Sequence, residues 1–540
     1  MNKVAKYLNE HITGEITANR AILDRYSRDG SVLSIKPELV MFPRVTNDIR
    51  KAARFSWQLA EKGHAMPVTV RGAGSNLTGG SIGKGVIINT SRYLNNIIHV
   101  ALKDKEHVVH VQPGLRLKNL NDTLNWHGLC IPASSGDEVY GTVGGSVANN
   151  SRGRYSGKYG TVGDSVIRLE VVLANGDLIE TTRLNKKEFS KKKGLQTFEG
   201  EIYRKLDGLL EDNQDLIKEK VHDDGLDNAG YSRISQVRRH DGSFDLTPLF
   251  IGSQGTLGII SELVLKSDFV SPEKLVLVAT IENDSSARDA VDALVKLDPT
   301  ILETFSGGIF EQASKTGKAY PFQDSVDQPI GSVVYIQFDD FHERARNKKM
   351  KKAIKILDSF QSRYVTSKDI PIEELESVLD VDFAAMLLES DNESMPPLID
   401  GVHIPAGRYE EFCLELDKLA DKHHVAMPLR RKVLDGIVSV RPILNLTKVA
   451  DKQKLFKIIN EYSELVEGFG GTFVADGGEG RLKANAAYNL LDDDVQKLYT
   501  DIREIFDPYG TLNPEVKQKN ELRSLVASLR HSYDISDLLA

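Results

Sequence analysis

The stretch Pro67-Val-Thr-Val-Arg-Gly-Ala-Gly-Ser-Asn-Leu-Thr-Gly-Gly80 sets a polar, glycine-rich loop directly after the apolar run Met66 to Val70. Glycines let a chain turn tightly and aim several backbone N–H groups at one anion, while Arg71, Ser75, Asn76 and Thr78 add side-chain donors. Three more stretches share this character: Pro132-Ala-Ser-Ser-Gly136, Gly141-Thr-Val-Gly-Gly-Ser-Val-Ala-Asn149 and Gly252-Ser-Gln-Gly-Thr-Leu-Gly258. Singly, each reads as a tight turn. Together they offer the many close donors that an elongated diphosphate cofactor needs. No Gly-x-Gly-x-x-Gly opens the strand, and Gly83-Lys84 and Gly157-Lys158 do not complete a Walker A pattern, so the common alternative nucleotide folds fit less well.

A chain of 540 residues exceeds one ordinary core, so two or three domains are expected. The 69 basic and 77 acidic residues leave a formal charge of -8, which gives no reason to expect nucleic-acid binding. Cys130 and Cys413 alone cannot hold an iron–sulfur cluster and read as thiols in a reducing compartment. The N-terminus lacks a signal-peptide core, and no apolar run is long enough for a transmembrane segment. The expected setting is cytoplasmic, with peripheral membrane association left open; the triplet Asn149-Asn-Ser151 has no secretory context. Oligomeric state is not legible, and a homodimer is compatible with the sequence.

Along the chain, residues 1–270 alternate apolar strands with glycine-rich turns. Helical patterning covers Thr46 to Lys62, and strands are expected at Pro67 to Val70, Gly85 to Asn89, Glu106 to Gln112 and Val166 to Leu173. A charged segment at about 183–245 reads as a solvated insertion, with a docking surface as the competing reading. Residues 271–500 alternate strands, expected at Leu275 to Ala279, Gly331 to Phe338 and Ala384 to Leu388, with charged helices at Asp340 to Phe360 and Tyr409 to His423. That pattern suggests a sheet covered by helices, capping a substrate. Residues 501–540 are expected to return toward the first half.

The sequence resembles the flavoprotein superfamily of vanillyl-alcohol oxidase and p-cresol methylhydroxylase, in particular its D-lactate, glycolate and D-2-hydroxyglutarate dehydrogenase branch. The matching text is Pro67 to Gly80, Gly141 to Asn150, Tyr159-Gly-Thr-Val-Gly-Asp164, Gly252 to Glu262 and Phe506-Asp-Pro-Tyr-Gly-Thr-Leu-Asn-Pro514. The resemblance implies an α+β fold: a two-part p-cresol methylhydroxylase-type FAD-binding domain, plus an α/β substrate cap domain with a central antiparallel sheet. It implies FAD, with Arg71, Gly72, Ala73, Gly74, Ser75, Asn76 and Thr78 around the diphosphate. Pro132, Gly141, Thr142, Gly144, Gly145, Ser146 and Asn149 would line the ribityl and flavin region, and Gly255, Thr256 and Ile259 the other side. Ser75 and Asn76 stand where covalent-flavin members often carry histidine, which favours noncovalent FAD.

The second half departs from the branch. Its usual His-x-x-Asp/Gly-Gly-Asn-x-His text is replaced by Lys432-Val-Leu-Asp-Gly-Ile-Val-Ser439, and its usual Glu-His-Gly by Asp476-Gly-Gly478. No metal site is expected, and the usual histidine base is absent. Adjacent His423 and His424 point apart on a helix and read as helix-end residues. Asp476 retains a carboxylate and Tyr488 a phenol, so these two are the catalytic candidates. Arg430, Arg431 and Arg441 suit an anionic substrate, since the guanidinium fork matches a carboxylate, though structural pairing with Asp or Glu is the competing reading.

The expected function is therefore FAD-dependent oxidation of a small anionic hydroxylated, 2-hydroxy-acid-like compound. Electrons would leave to a quinone, an electron-transfer protein or oxygen. Alternatives are a sugar or lipid-linked alcohol as substrate, or a flavin-bearing ligand or redox sensor with little turnover.

Overall fold

The computed structural model describes residues 3–535 apart from 104–105, 133–139, 222–224, 272, 323–329 and 387–392. Beyond Pro132, the loop expected at 132–136 lies outside the described residues. The fold is α+β, with the sheets distributed over two halves.

In the first half, strand Val68–Arg71 runs parallel to Val86–Asn89, which runs parallel to Leu39–Phe42; Glu15–Thr17 closes the edge antiparallel. The two inner strands are buried on both faces, which is why they read as unbroken apolar runs rather than as alternation. Helix Thr46–Glu61 covers this sheet through Ile49, Ala52 and Ala53, at the three-and-four spacing of one helix face. A five-stranded antiparallel sheet follows, in the order Ile97–Lys103, Glu106–Val111, Ile259–Lys266, Val166–Val172, Leu178–Thr181.

The charged segment is more than a solvated insertion. It folds into helices Lys186–Lys193, Phe198–Asp212 and Gln214–Lys220, which bury Phe189, Ile202, Tyr203, Leu206 and Leu210 in the same core as helix Asp493–Phe506. Most of its charge lies on the outer helix faces, while Asp207 is buried and paired with Lys193 and Arg238.

The second half holds a seven-stranded antiparallel sheet in the order Arg363–Thr366, Leu275–Ile281, Ser332–Phe338, Ile301–Ser306, Leu429–Lys432, Ile437–Val440, Ile399–His403. Alternate residues feed two separate cores. Val276, Val278 and Tyr335 pack under helices Gly307–Ser314 and Val381–Met386, while Leu277, Ala279 and Ile336 pack under Asp284–Val295 and Glu343–Ser359. The strand expected at Ala384 to Leu388 is corrected: residues 381–386 are helical, and 387–388 lie outside the described residues. Ala and Met favour a helix, and a five-residue apolar run has no period to say otherwise.

Residues 511–517 cross back to the first half. Val68 N–H donates to the Thr511 carbonyl (2.8 Å) and Asn513 N–H to the Val68 carbonyl (2.8 Å). Lys517 and Glu479 form a fully buried ion pair at 2.9 Å. Among the described residues, no helix is long and apolar enough to cross a membrane.

Candidate active site

Between the glycine loops of the first half and the cap sheet lies a cavity of about 270 Å³. The loop wall comprises Gly72, Ala73, Gly74, Ser75, Asn76, Thr78, Gly141, Thr142, Gly144, Gly145, Ser146, Asn149, Gly255 and Ile259. Two glycines are required here by geometry. Gly74 sits at φ +87°, where a Cβ would lie 2.1 Å from the Arg71 guanidinium, and a Cβ on Gly72 would lie 2.1 Å from Thr142 Oγ1. Asn76 shapes the first loop: its Oδ1 accepts from the N–H groups of Thr78 (3.0 Å) and Gly80 (2.7 Å). Asn149 Oδ1 then joins loops distant in sequence, accepting from Asn76 Nδ2 (3.2 Å) and Gln254 Nε2 (2.9 Å).

Three residues expected at the cofactor do not line the cavity. Arg71 lies beneath its loop, 4% exposed, donating to the Arg28 carbonyl and stacking 5.1 Å from the Tyr26 ring. It braces the loop from below. Thr256 is fully buried, bonded to the Ser253 carbonyl (2.7 Å) and the Tyr231 hydroxyl (2.7 Å). Pro132 stands apart from the lining.

The opposite wall comes from the cap. Alternation along Leu429–Lys432 turns Arg430 and Lys432 toward the cavity, and the register Arg430↔Ser439 puts Ser439 on the same face. Arg441 follows on the next strand's exit. Each cation has a carboxylate partner. Arg430 pairs with Glu303 at 2.6 Å and Asp382 at 2.8 Å, Lys432 with Asp476 at 2.9 Å, and Arg441 with Asp400 at 2.7 Å and Asp382 at 3.9 Å. The competing reading of the arginines, structural pairing, is thus met at the same residues that face the cavity.

These pairings set the ionisation of the wall. Burial would raise Asp476, but Lys432 and the Arg152 N–H, 2.8 Å from Oδ1, outweigh it and hold the carboxyl below its ordinary range. Asp382 is likewise buried, yet Arg441 and Arg430 keep it below the usual value. Asp400 goes the other way. Burial dominates and lifts it to about 6, because Arg441 is its one ion-pair partner among the described residues and Asp382 repels it.

Two expected site residues are corrected. Arg431 points to the far face of the sheet, its guanidinium 3.7 Å from the centre of the Tyr409 ring, because neighbours in a strand face opposite ways. Tyr488 is 4% exposed and off the cavity lining, and its hydroxyl donates to the Lys517 carbonyl at 2.5 Å. Burial pushes that phenol well above its ordinary pKa, so it is no base. Sequence reasoning missed Asp382, Asp400 and Glu303, and treated Lys432 only as a lost histidine.

The loop wall fits a flavin dinucleotide. A Cβ on either Gly255 or Gly477, both cavity-lining, would meet no protein atom within 4 Å, so the cavity is open at both positions. Among the described residues, the N–H groups of Ala73, Ser75 and Asn76 donate to no protein acceptor, leaving them for a bound diphosphate. No described histidine, cysteine or tyrosine lines the cavity, and none of the described His, Cys, Asp and Glu side chains group in threes to hold a metal.

Residues 37–182 match the FAD binding domain family, and residues 272–516 match the C-terminal domain of FAD linked oxidases. The chain belongs to the FAD-linked oxidases. It is 24% identical to D-2-hydroxyglutarate dehydrogenase of Haemophilus influenzae over 97% of its own length and 53% of that protein. Glycolate oxidase subunit GlcD of Bacillus subtilis is 24% identical over 92% of both chains. The chain spans about half the length of the D-2-hydroxyglutarate dehydrogenases it matches. Among solved structures, 4-ethylphenol oxidase from Gulosibacter chungangensis superposes with a TM-score of 0.66 at 15% identity, over 96% of this chain and 97% of that one. A substrate-bound p-cresol methylhydroxylase gives 0.66 at 14% identity, over 93% of each chain. In this FAD-linked oxidase, the glycine loops line one wall of the cavity and the ion-paired cap sheet lines the other.

Proposed function

We propose that this FAD-linked oxidase oxidises a small anionic hydroxylated compound of the 2-hydroxy-acid kind. The observation that carries the reading is the convergence of Arg430, Lys432 and Arg441 from adjacent cap strands onto the cavity lined by the glycine loops. Arg441 and Lys432 hold the substrate's carboxylate, and the cap wall keeps water from the reacting carbon. Asp476, kept ionised by Lys432, takes the hydroxyl proton at its cavity-facing carboxylate. Noncovalent FAD, when bound, supplies a two-electron acceptor. Electrons then leave to a quinone, an electron-transfer protein or oxygen.

A second reading, oxidation of a neutral sugar or lipid-linked alcohol, is favoured by one fact: every cation on the cap wall already has a carboxylate partner. The test is FAD reconstitution followed by anaerobic mixing with D-2-hydroxyglutarate, D-lactate and glycolate. At least one of them is expected to bleach the flavin absorbance. Failure to take up FAD overturns both readings; if none of the three bleaches the flavin and neutral alcohols mixed in the same way do, the second reading replaces the first.

A further inference from the structure

Asp400 is the odd member of the cap wall. It enters from strand Ile399–His403, lines the cavity, and keeps both carboxylate oxygens out of water without an aligned hydrogen bond to either. Its ionised form is held by Arg441 Nη2, which reaches Oδ2 at ion-pair distance but off hydrogen-bond alignment. The other groups around it do not replace that contact. Lys483 Nζ is turned to backbone, donating to the carbonyls of Asp400 (2.8 Å) and Phe473 (2.9 Å). Asp382, on helix Val381–Met386, shares Arg441 and repels Asp400, while the buried phenols of Tyr462 and Tyr533 carry no charge to offset it. Arg430 is bracketed by Glu303 and Asp382.

Asp476, by contrast, has a backbone N–H and an ammonium on separate oxygens. Asp476 is therefore held at both oxygens, whereas Asp400 has Arg441 as its one ion-pair partner among the described residues, with Lys483 adding only longer-range attraction. Arg441 is a cation that an anionic substrate would seek.

We infer that Asp400 sets the specificity of the anion site: it serves Arg441 as an internal carboxylate and, when an anionic ligand takes over that guanidinium, it becomes a neutral acid by taking up one proton from solvent. The inference rests on the proposed anionic substrate and adds which residue yields to it. The stoichiometry is one proton bound at an Asp400 oxygen for the one carboxylate docked on Arg441, so the charge which that carboxylate brings into the buried cluster is offset. Leaving both carboxylates ionised on one guanidinium would bury an uncompensated charge, which is costly.

The sign follows from the folded value near 6. Above it the proton must be imported, so the affinity for an anion falls about tenfold per pH unit; below it Asp400 is already neutral and the affinity levels off. Lys483, lowered by burial to about 8, confines the clean window to pH below about 7.5.

Oxalate is the probe, titrated calorimetrically into the FAD-loaded protein between pH 5.5 and 7.5 in two buffers of different ionisation enthalpy. The expected result is uptake approaching one proton per oxalate at pH 7 and above, and an affinity about tenfold weaker at pH 7 than its acid plateau. In Asp400→Asn, a neutral isostere of the protonated acid, binding at pH 7 should tighten by about tenfold and lose its pH dependence. Wild-type binding with no buffer dependence overturns the inference whether or not the variant folds, and leaves the anionic-substrate reading standing. No oxalate heat in either protein at any pH removes both.

Discussion

Replacing Lys432 by Met tests the pairing on which the cap wall is built. Its ammonium lies 2.9 Å from Asp476 Oδ2, with side-chain exposures of 14% and 23%. At that separation the Coulomb attraction is about 6 kcal/mol for an effective dielectric constant near 20, most of it offset by desolvation. Removing one partner leaves the desolvation of the other uncompensated, a cost of about 3–5 kcal/mol for a dry pair. Because this pair borders the cavity, and Asp476 keeps the Arg152 N–H, the low end of about 3 kcal/mol applies. With a urea slope of about 3 kcal/mol per M, the unfolding midpoint falls by about 1 M at pH 7.

Asp476 is held below its ordinary pKa, so the pair's contribution is complete above the unfolded carboxylate value and disappears as pH falls through the folded one. The gap between wild type and variant should close in acid. Adding Asp476→Asn removes the stranded charge and keeps an acceptor for Arg152, so the double variant should regain most of the loss. A midpoint shift under about 0.3 M at that slope, or a double variant no more stable than the single one, refutes the reasoning.

Two other substitutions separate cofactor binding from mere packing. Gly74→Val forces a branched residue to φ +87° and into the Arg71 guanidinium; about 2–4 kcal/mol lost from the loop should weaken FAD binding by roughly 30- to 1,000-fold in an equilibrium fluorescence titration. Tyr488→Phe removes a buried hydroxyl that donates to the Lys517 carbonyl, and should cost about 1 kcal/mol of stability while leaving the rate of anaerobic flavin reduction within about twofold.

The scaffold was readable because its signals are local. Helix Tyr409–His423 and the apolar strands Val86–Asn89 and Ser332–Phe338 announce themselves by period, run length and bounding turns. The loop wall of the cavity was also largely readable, since glycine, hydroxyl and amide residues cluster within each loop. The cap wall was not. Asp382 lies 48 residues from Arg430, and Asp476 44 from Lys432, so nothing near either cation in sequence predicts its partner. Arg431 is a different case: strand alternation alone separates it from Arg430, and placing residues 429–432 on a strand would have turned it away from the site.

The return of residues 511–517 to strand Val68–Arg71 also orders events during synthesis. Val68 cannot complete its backbone pairing, nor the carbonyls of Gly80 and Gln254 gain their Asn513 amide donor at 2.8 Å each, until residue 513 has been made. At about 5–20 residues per second, that partner arrives roughly 20–90 s after Val68 is made. Throughout that interval the nascent loop Arg71 to Gly80 lacks its final brace, so the geometry of this cavity wall is completed only after residue 513 has docked.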